Sequence, residues 1–120
     1  MEDHLRYDFG DIYISDRFMI GKMVVGTQIN EKHNLILKNL IDTYFENKPF
    51  VYISLRVNNY KVDPSMFVNT SKIKNLMGGA VVSNGFEGKK KAEQDFAFLE
   101  KPFRIFDTIE EAKAWGNSLF

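Results

Sequence analysis

Apolar and polar side chains alternate most regularly between Phe50 and Val57, where Val51, Ile53, Leu55 and Val57 are interleaved with Phe50, Tyr52, Ser54 and Arg56. A period of two puts the aliphatic set on one face of a β-strand and the mixed set on the other. The pattern predicts a central strand, then a polar loop through Asn58, Asn59 and Tyr60, then a helix capped by Asp63 and opened by Pro64, which has no N–H to lose. Upstream, Leu5 to Phe9 and Ile12 to Ser15 alternate around Gly10-Asp11, as in a strand broken or turned at the glycine. A second strand follows from Phe18 to Val25 and is expected to form a hairpin with the first. The period then changes. From an Asn30 cap to about Glu46, Leu37, Leu40, Ile41, Tyr44 and Phe45 recur every three or four residues, the spacing of one helical face. Pro49 closes that helix, because the residue before a proline is pushed out of helical geometry.

Beyond the central strand, the helix from Pro64 is expected to reach the Gly78-Gly79 break. A short buried strand follows at Ala80 to Ser83, then an Asn84-Gly85 turn and a third helix from about Phe86 to Glu100, with Ala92, Phe96 and Leu99 toward the core. Phe103 to Phe106 reads as the last strand, and Thr108 with Glu111 makes a capping box for a final helix bearing Ile109, Ala112, Trp115 and Leu119. The order is β-β-α-β-α-β-α-β-α. Strand-helix-strand repeats call for parallel pairing through right-handed crossovers, here after a hairpin, giving a mixed sheet of four to five strands in an α/β domain. Ser54 and Arg56 interrupt the apolar character of one face of the central strand, so the helices are expected mainly on the other.

Composition narrows the class. The 120 residues suit one domain, 1–120, and neither a repeat nor a low-complexity segment divides them. Sixteen basic residues balance sixteen acidic ones, which removes any overall electrostatic pull toward nucleic acid or an anionic membrane. The chain has no cysteine, which excludes disulfides, thiolate metal sites and thiol nucleophiles. Its charged start is unlike a secretory signal, and no apolar run reaches the ~18 residues of a membrane span, so the expected location is cytoplasmic.

Four segments carry a family likeness: Lys48-Pro-Phe-Val-Tyr-Ile-Ser54, Val62-Asp-Pro64, Ala80-Val-Val-Ser83 and Phe106-Asp-Thr-Ile-Glu-Glu-Ala112. Together they resemble the small bacterial STAS-like proteins, related in fold to stage II sporulation protein AA. The resemblance spans nearly the whole chain and implies a domain that acts by binding, without a general catalytic residue set. In the anti-sigma-factor antagonists of that family, a serine or threonine two residues after an aspartate and followed by glycine is phosphorylated. Ser65 stands two residues after Asp63 and is the candidate phosphosite that the resemblance implies, although Met66 replaces the glycine and a plain helix cap accounts for the same residues.

No motif points to catalysis. Gly85-Phe-Glu-Gly-Lys-Lys90 has too short a spacer for a phosphate-binding loop and lacks the hydroxyl residue that would hold magnesium. His4 and His33 lie in different segments with no obvious carboxylate or serine partner, and His33 stands near the first turn of its helix. Lys89, Lys90 and Lys91 are expected to be solvated. In open α/β sheets ligands gather beyond the carboxyl ends of the parallel strands, which nominates Arg56, Asn58, Asn59, Tyr60, Ser83 and Asn84 as a ligand-binding edge. Arg56 would hold an anionic group and Tyr60 would cover an apolar one; turn-forming amides and an Arg56 ion pair are the bland alternative. Phe50 and Tyr52, on the less covered face, are the candidate interface for a protein partner or a second copy in a homodimer, unless a helix folds over them. The expectation is a non-catalytic binding or regulatory domain, with no cofactor and no metal. A carrier of a small apolar or lipid-like ligand and a phosphorylation-controlled anti-sigma-factor antagonist are the alternatives.

Overall fold

The computed structural model describes residues 3–24, 26, 28–56, 61–62, 70–97 and 99–120. Its main sheet runs β1 (Asp3–Tyr7), β2 (Gly10–Ile14), β3 (Phe18–Met23), then β5 (Phe50–Leu55), β7 (Leu76–Val82) and β8 (Phe103–Phe106). The first three strands are antiparallel neighbours, and the pairs from β3 onward are parallel. The sheet therefore has six strands rather than four or five. The difference lies at Gly10: its φ of 152° and its contact with Lys22 and Met23 let the chain turn there, and what reads as one interrupted strand becomes two paired ones.

A separate pair joins β4 (Gln28–Ile29) to β6 (Lys61–Val62) in parallel. Sequence reading leaves both as loop, because two residues show no periodicity. The described helices are α1 (Glu31–Tyr44), α2 (Phe86–Phe96) and α3 (Ile109–Asn117). The helix expected from Asp63 and Pro64, with Ser65, lies at 63–69, outside the described residues. Its expected end is corrected, since Leu76 and Met77 belong to β7, which runs straight through Gly78 and Gly79. Gly78 is needed for packing: a Cβ there would press on Leu119 and on the Pro102 carbonyl.

Parallel register sorts the core into two faces. Val51 and Ile53 lie beside Phe18, Ile20, Ala80 and Val82, and α3 covers them with Ala112, Ile109 and Trp115. Gly116 lets α3 come close, since a Cβ there would strike the Phe18 ring. Phe50, Tyr52 and Ser54 share the opposite face with Met19, Gly21, Met23, Leu76 and Val81. This second face carries both α1 and α2, the latter through Ala92 over Val81. The helices are thus on both faces, and the pair sits on the side that Ser54 and Arg56 had suggested was less covered. Ser54 is buried at 3% exposure, so a short hydroxyl did not mark a solvent face.

Caps follow the sequence. The Asn30 side chain accepts the Lys32 N–H at 3.1 Å, and His33 Nδ1 accepts the Asn30 N–H at 3.0 Å, so an imidazole completes the capping box. The Thr108 hydroxyl accepts the Glu111 N–H at 3.2 Å and itself donates to Glu111 Oε1 at 3.0 Å.

Candidate functional site

The helical periodicity of α1 would ordinarily bring its apolar stripe hard onto a sheet. Here Leu37, Leu40, Ile41 and Tyr44 are only half-buried, and Phe45, just past the last turn, is 1% exposed. At one end of α1 Phe45 stacks on Phe50, with ring centroids 4.6 Å apart and planes 15° from parallel. At the other end His33 meets Phe9 edge to face, with centroids 4.7 Å apart at 81°. A ring pair stands at each end of α1, and the cavity beside the helix has a volume of about 620 Å³. That volume is within the range of small-molecule sites.

The cavity follows β5. Phe50, Tyr52, Ser54 and Arg56 all line it, every second residue of one strand, which spans roughly 20 Å from first to last. Met19 and Met23 widen this floor from β3, and Leu76 and Gly79 from β7. Asn34, Leu37, Lys38, Ile41 and Asp42 form the wall that α1 presents at spacings of three and four. Thr70, Lys72, Ile73 and Asn75 close the end near Phe45. Asn75 fixes that corner by donating from Nδ2 to the carbonyls of Phe45, at 2.7 Å, and Lys48, at 2.9 Å. Its backbone carbonyl accepts the Phe50 N–H at 3.0 Å, so helix, loop and strand are tied at a single residue. Lys101 Nζ adds a bond to the Ile73 carbonyl at 2.9 Å.

The charged groups are mostly peripheral. Lys38, Asp42, Glu46, Lys72 and Lys74 are exposed at the rim, whereas Arg56 is half-buried and its Nε is screened from solvent. The His33 pKa is lowered, first by desolvation and then by the neighbouring Lys32 charge, which keeps the imidazole neutral and its Nδ1 available as the acceptor in the α1 cap. Its ring supports one end of the cavity against Phe9 while its Nδ1 caps α1.

Of the sequence-nominated ligand residues, Arg56 lines the cavity and Ser83 and Asn84 do not. Ser83 is buried at 5% exposure against Gly88 in α2, and its N–H is bonded to the Phe106 carbonyl at 3.0 Å. Asn84 is exposed and reaches the Asp107 carbonyl at 3.5 Å, a contact suited to holding the turn. Asn58, Asn59 and Tyr60 lie outside the described residues. Phe50 needs correction as an interface residue, because at 1% exposure beneath Phe45 it is closed to a partner; Tyr52, half-buried, is on the cavity floor. Lys89 pairs with Asp107 at 2.6 Å, tying α2 to the loop before α3. Sequence reasoning missed the α1 wall as a site, because the ring contacts of Phe9 with His33 and of Phe45 with Phe50 that bound it carry no signal in spacing. Among the described residues no group of three or more His, Asp or Glu side chains is placed to hold a metal, and no helix is long and apolar enough to cross a membrane.

An uncharacterized protein of the DUF3478 family from Shewanella loihica PV-4, whose solved structure is described as having a SpoIIAA-like fold, matches with a TM-score of 0.60 over 97% of this chain and 92% of that one. The fold is SpoIIAA-like. Identity between the two is 10%, so the likeness concerns the fold alone. No family model matches the chain, and no curated protein does. In the SpoIIAA-like frame, the cavity lies between the parallel part of the sheet and the first long helix.

Proposed function

We propose that this SpoIIAA-like chain is a non-catalytic binding domain that holds a small, largely apolar molecule between β5 and α1. One observation carries the reading: about 620 Å³ of space floored by Phe50, Tyr52, Met19 and Met23, with a ring pair at each end of α1. The groove is partly open to solvent, so its half-buried apolar lining, Leu37, Ile41 and Tyr52 among it, meets water where an occupant would supply apolar contacts. An apolar lining left half-buried is explained if an occupant completes those contacts. The SpoIIAA-like fold supports a binding role in general, and the burial of Phe50 moves that role from a surface patch to an interior site.

Native mass spectrometry of protein purified without detergent tests this directly. A retained small molecule, released into organic solvent and identified by mass, is the expected result. Protein that is empty as purified and that also fails to bind any apolar fluorescent probe overturns the reading. The same spectra report the subunit number.

A further inference from the structure

At the carboxyl ends of β7 and β8 the backbone at the start of α2 is left open. β7 ends at Val82 and α2 begins at Phe86, with Ser83, Asn84 and Gly85 between them. Gly85 is the N-cap, with φ 82°, and no side chain caps the helix. The first helical bond runs from the Lys89 N–H to the Gly85 carbonyl at 3.1 Å, so the N–H groups of Phe86, Glu87 and Gly88 have no partner within α2. Nothing stands within 4 Å of where a Gly85 Cβ would be, which lets a ligand approach the backbone closely. The aligned peptide dipoles favour an anion at that point.

Ser83 is a second and independent sign. It is 5% exposed, and its hydroxyl has no hydrogen-bond partner among the described residues. A Cβ on Gly88 would lie 2.6 Å from its Oγ, so the hydroxyl is aimed at the first turn of α2. A hydroxyl so placed costs free energy until something bonds to it. Lys89, on the same turn, has its Nζ 2.6 Å from Asp107 Oδ1, just past the end of β8. With side chains 40% and 61% exposed, that ion pair is solvated and weak, and a competing anion can share the lysine. Glu87 and Asp107 are the carboxylates bordering the turn; the first is exposed and the second is offset by Lys89. The segment Gly85-Phe-Glu-Gly-Lys-Lys90 lacks a hydroxyl after its lysines, and the fold supplies one from ahead of it.

We infer that the start of α2 binds a phosphate group, held by the N–H groups of Phe86, Glu87 and Gly88, by the Ser83 hydroxyl and by Lys89. Together these donors outnumber the roughly four lone-pair sites of a carboxylate and suit a tetrahedral oxyanion. None of these residues is among the described residues that line the cavity, so this site stands or falls apart from it.

The test is a titration of inorganic phosphate into the full chain, in a phosphate-free buffer of constant chloride, followed by the backbone amide resonances. Those of Phe86, Glu87 and Gly88 should shift saturably at millimolar phosphate, and their failure to move overturns the inference. Acetate should bind about fivefold or more weakly, the worth of one hydrogen bond, and equal affinity overturns the phosphate assignment. Ser83→Ala should weaken phosphate binding about tenfold and Lys89→Met about fivefold, while Lys90→Met, at an exposed neighbour, should change it about twofold at most. No loss in Ser83→Ala, or equal losses in the two lysine variants, shows a diffuse basic surface and overturns the site. If Ser83→Ala does not fold, the amide shifts of the unaltered protein and the two lysine variants decide. Phenyl phosphate then identifies the source. Tighter binding than inorganic phosphate, lost in Phe86→Ala, assigns a phosphate monoester resting on the Phe86 ring, which is 77% exposed; no gain assigns free phosphate, and either result upholds the site.

Discussion

Gly21 and Tyr52 offer the sharpest test of how the cavity floor is built. Gly21 lies in β3 opposite Ser54, and a Cβ added there would overlap the Tyr52 hydroxyl, with Met23 Cε at 3.2 Å and Tyr52 Cζ at 3.3 Å next in line. A tyrosine cannot retreat as a lysine tip would, since its ring is rigid and must swing as a whole. Gly21→Ala is therefore an overpacking substitution and should destabilise by about 1–3 kcal/mol. Tyr52→Phe alone should cost about 1 kcal/mol. In the double variant the overlapping oxygen is gone, and the remaining contacts are tight but can relax by a few tenths of an ångström. The two effects should then be less than additive, with a coupling of about 1–2 kcal/mol. Urea unfolding followed by the fluorescence of Trp115 is the suitable assay, because that ring packs near Phe106 on the opposite face of the sheet and reports global unfolding. In melting temperature the coupling corresponds to roughly 4 °C per kcal/mol for a domain of this size. Strict additivity, within about 0.5 kcal/mol, would show that Gly21 is not there to make room for Tyr52.

Three further outcomes follow from the geometry. Asn75→Ala removes the donor shared by the Phe45 and Lys48 carbonyls, at 2.7 and 2.9 Å, and should destabilise by about 1–3 kcal/mol in urea melts, while an unchanged midpoint would dissociate this corner from the fold. Because the folded pKa of His33 is lowered, the unfolded chain takes up a proton first on acidification, so this group's contribution is complete above the ordinary histidine value of about 6.5 and is progressively lost as the pH falls from there to the folded value. His33→Gln keeps an acceptor at the third helical position, and stability measured from pH 7.5 downward should lose that part of its slope; a slope identical to the parent's would refute the assignment. Thr108→Ala deletes the α3 cap and should cost about 1 kcal/mol, with Thr108→Ser retaining most of it in the same thermal melts.

What could be read in the chain alone was local. The alternation of Val51, Ile53 and Leu55 defined a strand, the three- and four-residue recurrence of Leu37, Leu40 and Ile41 defined a helix, and Asn30 and Thr108 marked where helices begin, because each of these signals is carried by residues within one or two turns of each other. The parallel order and the presence of a hairpin followed from connection lengths. The paired Gln28–Ile29 and Lys61–Val62 did not, since two-residue strands have no period and exist only through each other. Nor was the run of β7 through Gly78 and Gly79 legible, because what Gly78 serves is the approach of Leu119 and Pro102 from distant parts of the chain.

The site shows the same division. Arg56 could be nominated from the sequence because a position at the carboxyl end of a central parallel strand is a topological property. That Phe50 lines the cavity and is not a docking surface was decided by Phe45, and the companion contact of His33 with Phe9 likewise joins residues whose spacing predicts no encounter. Periodicity assigns a side chain to a face; it does not say what arrives over that face, or how far off it stands. The two ring pairs at the ends of α1 are brought together only when the chain has folded, and the cavity is lined by residues that meet only in the tertiary structure.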